Sequence, residues 1–298
     1  MMELLGKLQC PVTGVPLHLS PDGTHAEADQ VRYSTVDGVW QLLPNEFASH
    51  RITNYFEHYE TDAEVFDYFE SSGNQATLHE HRRLQETIIR EIPGQATSIL
   101  DVGCGNAWLA ASIIQNRKRS EICSMDLSSA NTQNAKKRVH DERHLVIRGD
   151  AQHLPFQDNT FDVIVASEVL EHIEEVAKFL QELFRALKPG GRLILTTPYN
   201  EVIQYSLCIH CNQKTPLHAH LHSVNEKFIQ DQVQESGIHG KVSTQAFLNK
   251  LLVMLKGHVV LKYLPYLLWK GADLLANKVI GHQSRLLVTI DKIPRESF

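Results

Sequence analysis

The chain has 298 residues, 42% of them hydrophobic and 21% charged, which suits one large domain or two small ones with a sizeable core and excludes a disordered polymer. A net charge of −6 gives no overall attraction for a polyanion, so an RNA or DNA substrate would need a local basic patch. The start, "MMELLGKLQC", has neither a basic leader nor a long apolar core, the five cysteines read as thiols of a reducing compartment, and no run of about 18 apolar residues is present, so a cytoplasmic protein without a spanning helix is expected.

Residues 1–46 read as short strands and turns, with Asp22-Gly23 and Asp37-Gly38 as hairpin signals. Residues 47–95 read as helical and aromatic-rich. From 96 to 200, strands near 97–102, 120–125, 144–149, 161–166 and 191–197 alternate with helices over 107–116, 128–139 and 174–188. That alternation predicts an α/β fold, a Rossmann-like doubly wound parallel sheet covered by helices. A Cys/His-rich loop follows, then an apolar, lysine-decorated stretch, and "RLLVTIDK" reads as a last strand. The expected organisation is a small β segment over 1–46, a core with an N-terminal helical lid over 47–246, a helical cap insert over 247–282 and a final core strand in 283–298.

The most informative stretch is "ILDVGCGNAWLA", residues 99–110. A glycine-rich turn between strand and helix bares its backbone to a ligand. Trp108 stands where a dinucleotide fingerprint requires its third glycine, which removes the pyrophosphate reading. Asp101, ending the strand, suits a ligand carrying an ammonium group. Asp126 and Leu127 end the second strand, and a carboxylate there accepts two parallel bonds from a diol. The plainer role of Asp126 is a helix N-cap, which Ser128 or Ser129 can fill instead. Asp150-Ala151 follows the third strand and suits an exocyclic amine and a ring nitrogen. Ser167-Glu168 ends the fourth strand, at the crevice where open α/β sheets bind ligands.

With "ILDVGCG", "MDLS", "GDAQHLPF", "FDVIVASEVLEHI" and "ALKPGGRLILTTP" in this order, residues 96–200 resemble the class I S-adenosylmethionine-dependent methyltransferases, in their broad small-molecule branch. The resemblance implies a seven-stranded sheet with its last strand antiparallel. It implies S-adenosyl-L-methionine lying against Gly103, Cys104 and Gly105, its amino-acid end at Asp101, its ribose at Asp126 and Leu127, its adenine at Asp150 and Ala151, with Ser167 nearby. In resembling enzymes an aromatic N-terminal helix closes over the cofactor, a role for Tyr55 or Tyr59. Candidate bases are Glu168, Glu171 and His172. His172 is the first choice because imidazole titrates near neutrality, and packing beneath the cofactor is its alternative role. The expected activity is methyl transfer to a small-molecule, glycan or lipid-type acceptor, with oxygen favoured. The alternatives are a ribosomal-RNA guanine methyltransferase and a non-catalytic cofactor-binding partner.

Residues 1–46 also resemble the zinc-ribbon-like modules that precede some methyltransferases. Cys10 stands alone, however, and Thr13 fills the second ligand position, so a metal-free segment is expected. A structural zinc is instead assigned to "CIHCNQKTPLHAHLH", through Cys208, Cys211, His218 and His222, an ordinary polar loop being the alternative. In the insert, Lys250, Lys256, Lys262, Lys270 and Lys278 face one acid, Asp273. Such a segment suits either a cap over the acceptor pocket or peripheral contact with an anionic membrane. Pro265 is expected to divide it into helices over roughly 246–263 and 266–280.

Overall fold

The structure is a computed structural model that describes residues 3–43, 60–61, 74–208, 212–254 and 256–294. Four short strands come first: β1 (His18–Leu19), β2 (His25–Ala28), β3 (Val31–Val36) and β4 (Val39–Leu42). They form an antiparallel meander. Its last turn holds Asp37 at φ 51° and Gly38 at φ 76°. Two consecutive left-handed residues give the turn whose twist matches a hairpin, which explains the Asp-Gly pair.

The core follows as α1 (Gln75–Glu91), β5 (Ser98–Val102), α2 (Trp108–Asn116), β6 (Glu121–Asp126), α3 (Ser129–Arg138), β7 (His144–Gly149), β8 (Phe161–Ser167), α4 (Val176–Ala186) and β9 (Leu187–Pro198). A two-stranded hairpin, β10 (Tyr205–Leu207) and β11 (Lys214–Pro216), leads to α5 (Glu226–Ser236) and β12 (Gly240–Asn249). The chain ends through α6 (Lys250–Met254), α7 (His258–Leu261), α8 (Tyr266–Val279) and β13 (Gln283–Lys292).

The main sheet runs β1-β2-β3-β4-β7-β6-β5-β8-β9-β13-β12. From β4 to β9 neighbouring strands are parallel, and β13 is antiparallel to both β9 and β12. The β-branched and aliphatic runs of β5 and β8 are buried on both faces, as parallel strands between helix layers must be. Seven strands, β7 to β12 in sheet order, form the expected core with its last strand antiparallel.

The sheet nevertheless has eleven strands rather than seven. β4 pairs with β7, setting Trp40 against Ile147, so the N-terminal segment extends the core sheet. The edge of β7 would otherwise offer unpaired N–H and C=O groups. Leu4, Leu8, Cys10, Tyr33, Trp40 and Leu42 share one apolar cluster with Met125, Leu145 and Phe156. Cys10 is buried there, its Sγ 3.1 Å from the Tyr33 hydroxyl.

At the other end, β12 runs to Asn249 and crosses the expected insert boundary at 247. The helix expected over 246–263 is therefore broken into strand, α6 and α7. Asp273 sets this break by accepting the backbone N–H of Leu248 and of Asn249, at 3.2 and 2.8 Å. Pro265 is the N-cap of α8, where its missing N–H is not needed. Fully buried Arg83 of α1 fastens the insert by donating to the carbonyls of Leu261 and Leu264, its guanidinium 5.0 Å from the Trp269 ring centroid.

Candidate functional site

The crevice lies where β5, β6, β7 and β8 end. The loop after β5 turns on Gly103 at φ 68° and Gly105 at φ 48°, and Ala107 at φ 56° starts α2. The backbone N–H groups of Gly103 and Cys104 both donate to the Met125 carbonyl, at 2.8 and 3.1 Å, which ties the loop to β6. A Cβ on Gly103 would lie 2.4 Å from Val169 Cγ2, so the loop and the turn after β8 touch through a missing side chain.

Asp101 is buried, and its Oδ2 has no hydrogen-bond partner among the described residues. Burial, and then the nearby Asp126, push its carboxyl up to about 8. Half-buried Asp126 accepts from Gly105 N at 3.0 Å, Ser128 N at 2.9 Å and Asn131 Nδ2 at 3.3 Å. Its pKa is raised by burial against the pull of these bonds. Ser128 is the cap of α3, accepting from Asn131 N. Asp126 thus holds the glycine loop as well as facing the crevice. Asp150 is buried after β7 and bonds Gln152 N at 3.0 Å and His153 Nδ1 at 2.9 Å, beside half-buried Ala151. The Leu127 carbonyl accepts from Arg148 Nε at 3.1 Å.

After β8, Ser167 Oγ lies 2.9 Å from Thr196 Oγ1. Glu168 has φ 57° and is ion-paired with Arg285 of β13, Oε2 to Nε 2.6 Å. Glu171 is 1% exposed, and burial with Glu168 beside it raises its pKa well above the ordinary value. His172 Nδ1 lies 3.3 Å from the Ala219 carbonyl, and its ring is edge-on to His220, centroids 4.8 Å apart.

Among the described residues, the expected zinc ligands do not come together. Cys208 closes the β10–β11 hairpin, His218 is exposed at φ 59°, and His222 Nε2 is held 2.8 Å from the Ile173 carbonyl. Cys211, like Tyr55 and Tyr59, lies outside the described residues. Alternate histidines of an extended chain share a face, but His218 and Ala219 are both left-handed, which turns His220 alone toward His172.

Sequence reading missed three residues. Arg285 faces the crevice from the last strand and carried no local signal. His220 was one of three alternating histidines. Glu60 bonds the N–H of Ser129, 2.9 Å, at the start of α3 and pairs with Arg148, a contact between distant segments.

A backbone cradle beside an unpartnered buried carboxylate fits a ligand with a cationic amino-acid end, and the strand order is that of a class I S-adenosylmethionine-dependent methyltransferase domain. Residues 100–195 match the family described as methyltransferase domain. Demethylmenaquinone methyltransferase of Lactiplantibacillus plantarum is 30% identical over 132 residues, 42% of this chain and 56% of that protein. Sterol 24-C-methyltransferase of Schizosaccharomyces pombe is 29% identical over 177 residues, 55% of this chain and 44% of that one. The chain spans about half the length of these curated relatives. Among solved structures, a chain from the complex between the Haloferax volcanii Trm112 methyltransferase activator and the putative methyltransferase has a TM-score of 0.55 at 14% identity, covering 83% of this chain and all of that one. At that identity the likeness speaks for the fold alone.

Proposed function

We propose that the protein transfers a methyl group from S-adenosylmethionine to a small apolar or lipid-type acceptor, with oxygen as the favoured acceptor atom. The observation that carries this reading is the buried Oδ2 of Asp101, without a hydrogen-bond partner among the described residues, beside the glycine cradle. S-Adenosylmethionine supplies an electrophilic methyl on a sulfonium. The acceptor's lone pair forms the new bond, the carbon–sulfur pair leaves on sulfur as a neutral thioether, and the acceptor's proton passes to a base. In this reading Asp101 holds the ammonium end, Asp126 the ribose diol, and the backbone of Asp150-Ala151 faces the adenine. His172, half-buried at the acceptor side, is the first candidate base, while Glu168 is engaged with Arg285 and positions the site. The relatives support the acceptor class, since one is named for demethylmenaquinone and the other for a sterol. Glu168, Glu171 and Glu201 around the acceptor side disfavour an RNA.

The reading is tested with labelled cofactor against lipid, small-molecule and RNA fractions of an extract, and transfer confined to RNA overturns the acceptor class. Asp126→Ala is expected to weaken cofactor binding by about 1–3 kcal/mol, the range for leaving a buried hydrogen-bonding group without its partner. Calorimetry giving an unchanged Kd removes the ribose role.

The insert supports an acceptor met at a lipid surface. The inward face of α8 carries buried Trp269 and Asp273, with Lys270 Nζ 4.9 Å from the Phe247 ring centroid. Its outward face carries Leu267, Leu268, Leu274, Leu275 and Val279, all exposed, Leu268 by 62% and Leu275 by 65%. Val259, Val260 and Tyr263 of the same insert are exposed as well, and so are Lys250, Lys256 and Lys278. Apolar residues outward with basic residues beside them suit an anionic bilayer surface. No helix of the described residues is long and apolar enough to cross one. The chain is expected to float with phosphatidylglycerol vesicles, less with phosphatidylcholine vesicles, and to lose flotation in Leu268→Glu/Leu275→Glu with cofactor affinity unchanged. A dimer that this double variant dissociates, without flotation of the parent, would assign the surface to a second copy.

A further inference from the structure

We infer that Glu171, His172 and His220 form a site for a divalent transition-metal ion at the acceptor side of the crevice. One ligand atom from each, a carboxylate oxygen and two imidazole nitrogens, lies within 4.8 Å of the others. Glu171 is 1% exposed, and its Oε2 is buried with no hydrogen-bond partner among the described residues. A buried carboxylate pays heavily unless a cation or donors meet it, and Arg285, the cation beside Glu171, is already ion-paired with Glu168.

The surroundings hold the two histidines as metal ligands are held. His220 Nδ1 lies 2.5 Å from Glu201 Oε2, and His172 Nδ1 lies 3.3 Å from the Ala219 carbonyl. An oxygen on Nδ1 fixes the ring and its tautomer and directs Nε2 to the ion, and a carboxylate in that position makes the imidazole a stronger ligand. The segment that brings His220 is itself anchored at the site, because Leu221 N donates to the Glu171 carbonyl at 2.7 Å. His218 and Ala219 adopt φ 59° and 54°, backbone that residues with a Cβ rarely take, and this turn delivers both the Ala219 carbonyl and His220.

Two imidazoles and one carboxylate favour a first-row transition-metal ion, Zn2+ ahead of the harder Mn2+, over Mg2+ or Ca2+, which prefer oxygen throughout. Three protein ligands leave a coordination position open, the pattern of a catalytic rather than a structural site. The open position would take an oxygen of the methyl acceptor and lower its pKa, so that its proton passes to solvent water and the oxygen is aligned with the methyl group. This role, though not the ion binding, rests on the methyl-transfer reading. It also gives His172 a task other than that of a free base.

The test uses full-length protein stripped with chelator and then titrated with Zn2+ or Mn2+ in the absence of cofactor. About one ion per chain is expected, with Glu171→Gln and His220→Ala each weakening binding at least about a hundred-fold and Glu201→Gln about 10–100-fold, the range for an outer partner of a ligand. Circular dichroism and cofactor affinity of each variant serve as folding controls. Binding that is absent from the parent, or that survives in Glu171→Gln/His220→Ala and is lost in Cys208→Ser, overturns the site. Stripped enzyme that binds cofactor but has lost methyl transfer, restored by the ion, supports the assigned role. Full transfer by the stripped enzyme overturns it. Failure of the methyl-transfer reading shows separately, as a chain that binds the ion but no S-adenosylmethionine.

Discussion

Asp101→Asn is expected to bind S-adenosylmethionine roughly ten-fold or more weakly, a loss of at least about 1.4 kcal/mol, and yet to unfold at a higher temperature than the parent at neutral pH. The two effects share one cause. The Asp101 carboxyl is buried, its Oδ2 lacks a hydrogen-bond partner among the described residues, and its pKa is pushed up to about 8. The unfolded chain titrates the same group near 4. Between those values the native state keeps a proton that the unfolded state has released. The stability contribution of this group is therefore complete below about pH 4 and is lost progressively as pH rises through about 8. Asparagine has no such titration. The difference in melting temperature, variant minus parent, should widen from pH 5 to pH 8 and stop widening above it. A parent that is the more stable at pH 8 would contradict this. Binding a cation requires the ionised carboxylate, so parent affinity should climb from pH 6 to 7.5 with proton release, visible in buffers of different ionisation enthalpy. The variant should show neither.

Gly103→Ala is expected to abolish measurable cofactor binding and to destabilise the fold by about 2–5 kcal/mol, the sum of a left-handed residue gaining a Cβ and of overpacking. The added carbon would stand 2.4 Å from Val169 Cγ2, on a backbone at φ 68°. Relief requires the loop after β5 to move off the turn after β8, which opens the cradle. Val169→Ala in the same chain should restore the packing part of the lost stability and leave the backbone part. Thermal unfolding separates the two. Wild-type cofactor affinity in the single variant would show that the loop does not set the site.

The strands from β5 to β8 and helices α2 to α4 were legible because burial on both sides of a parallel sheet demands long apolar runs, and the chain alternates them with amphipathic helices. The placing of Asp101, Asp126 and Asp150 at one edge of the sheet was legible, because they lie at the ends of β5 and β6 and directly after β7. The pairing of β4 with β7 was not legible, since a four-residue strand has no signal that separates a hairpin standing apart from one added to an edge. β12 was hidden because its first half contains no fully buried residue and its apolar end continues into the apolar insert. Arg285 and Glu60 reach the site from far along the chain, and such contacts exist only once the sheet has formed. The zinc expectation followed cysteine and histidine spacing, but ligands are selected by where the backbone turns, and the left-handed pair His218-Ala219 turns the chain so that His220 is delivered to the crevice.

The position of β13 has a consequence for how the chain is made. It lies between β9 and β12, so a strand made after both of its neighbours fills the interior of the sheet. Until residues 283–292 emerge, the edge of β9 stays open and β12 has no neighbour in the sheet. Pairings across so much sequence form slowly, and an uncovered hydrophobic strand edge is where nascent chains associate wrongly. The nascent protein should therefore depend on chaperones until β13 has emerged, and a truncation that removes β13 should aggregate rather than yield a smaller folded core.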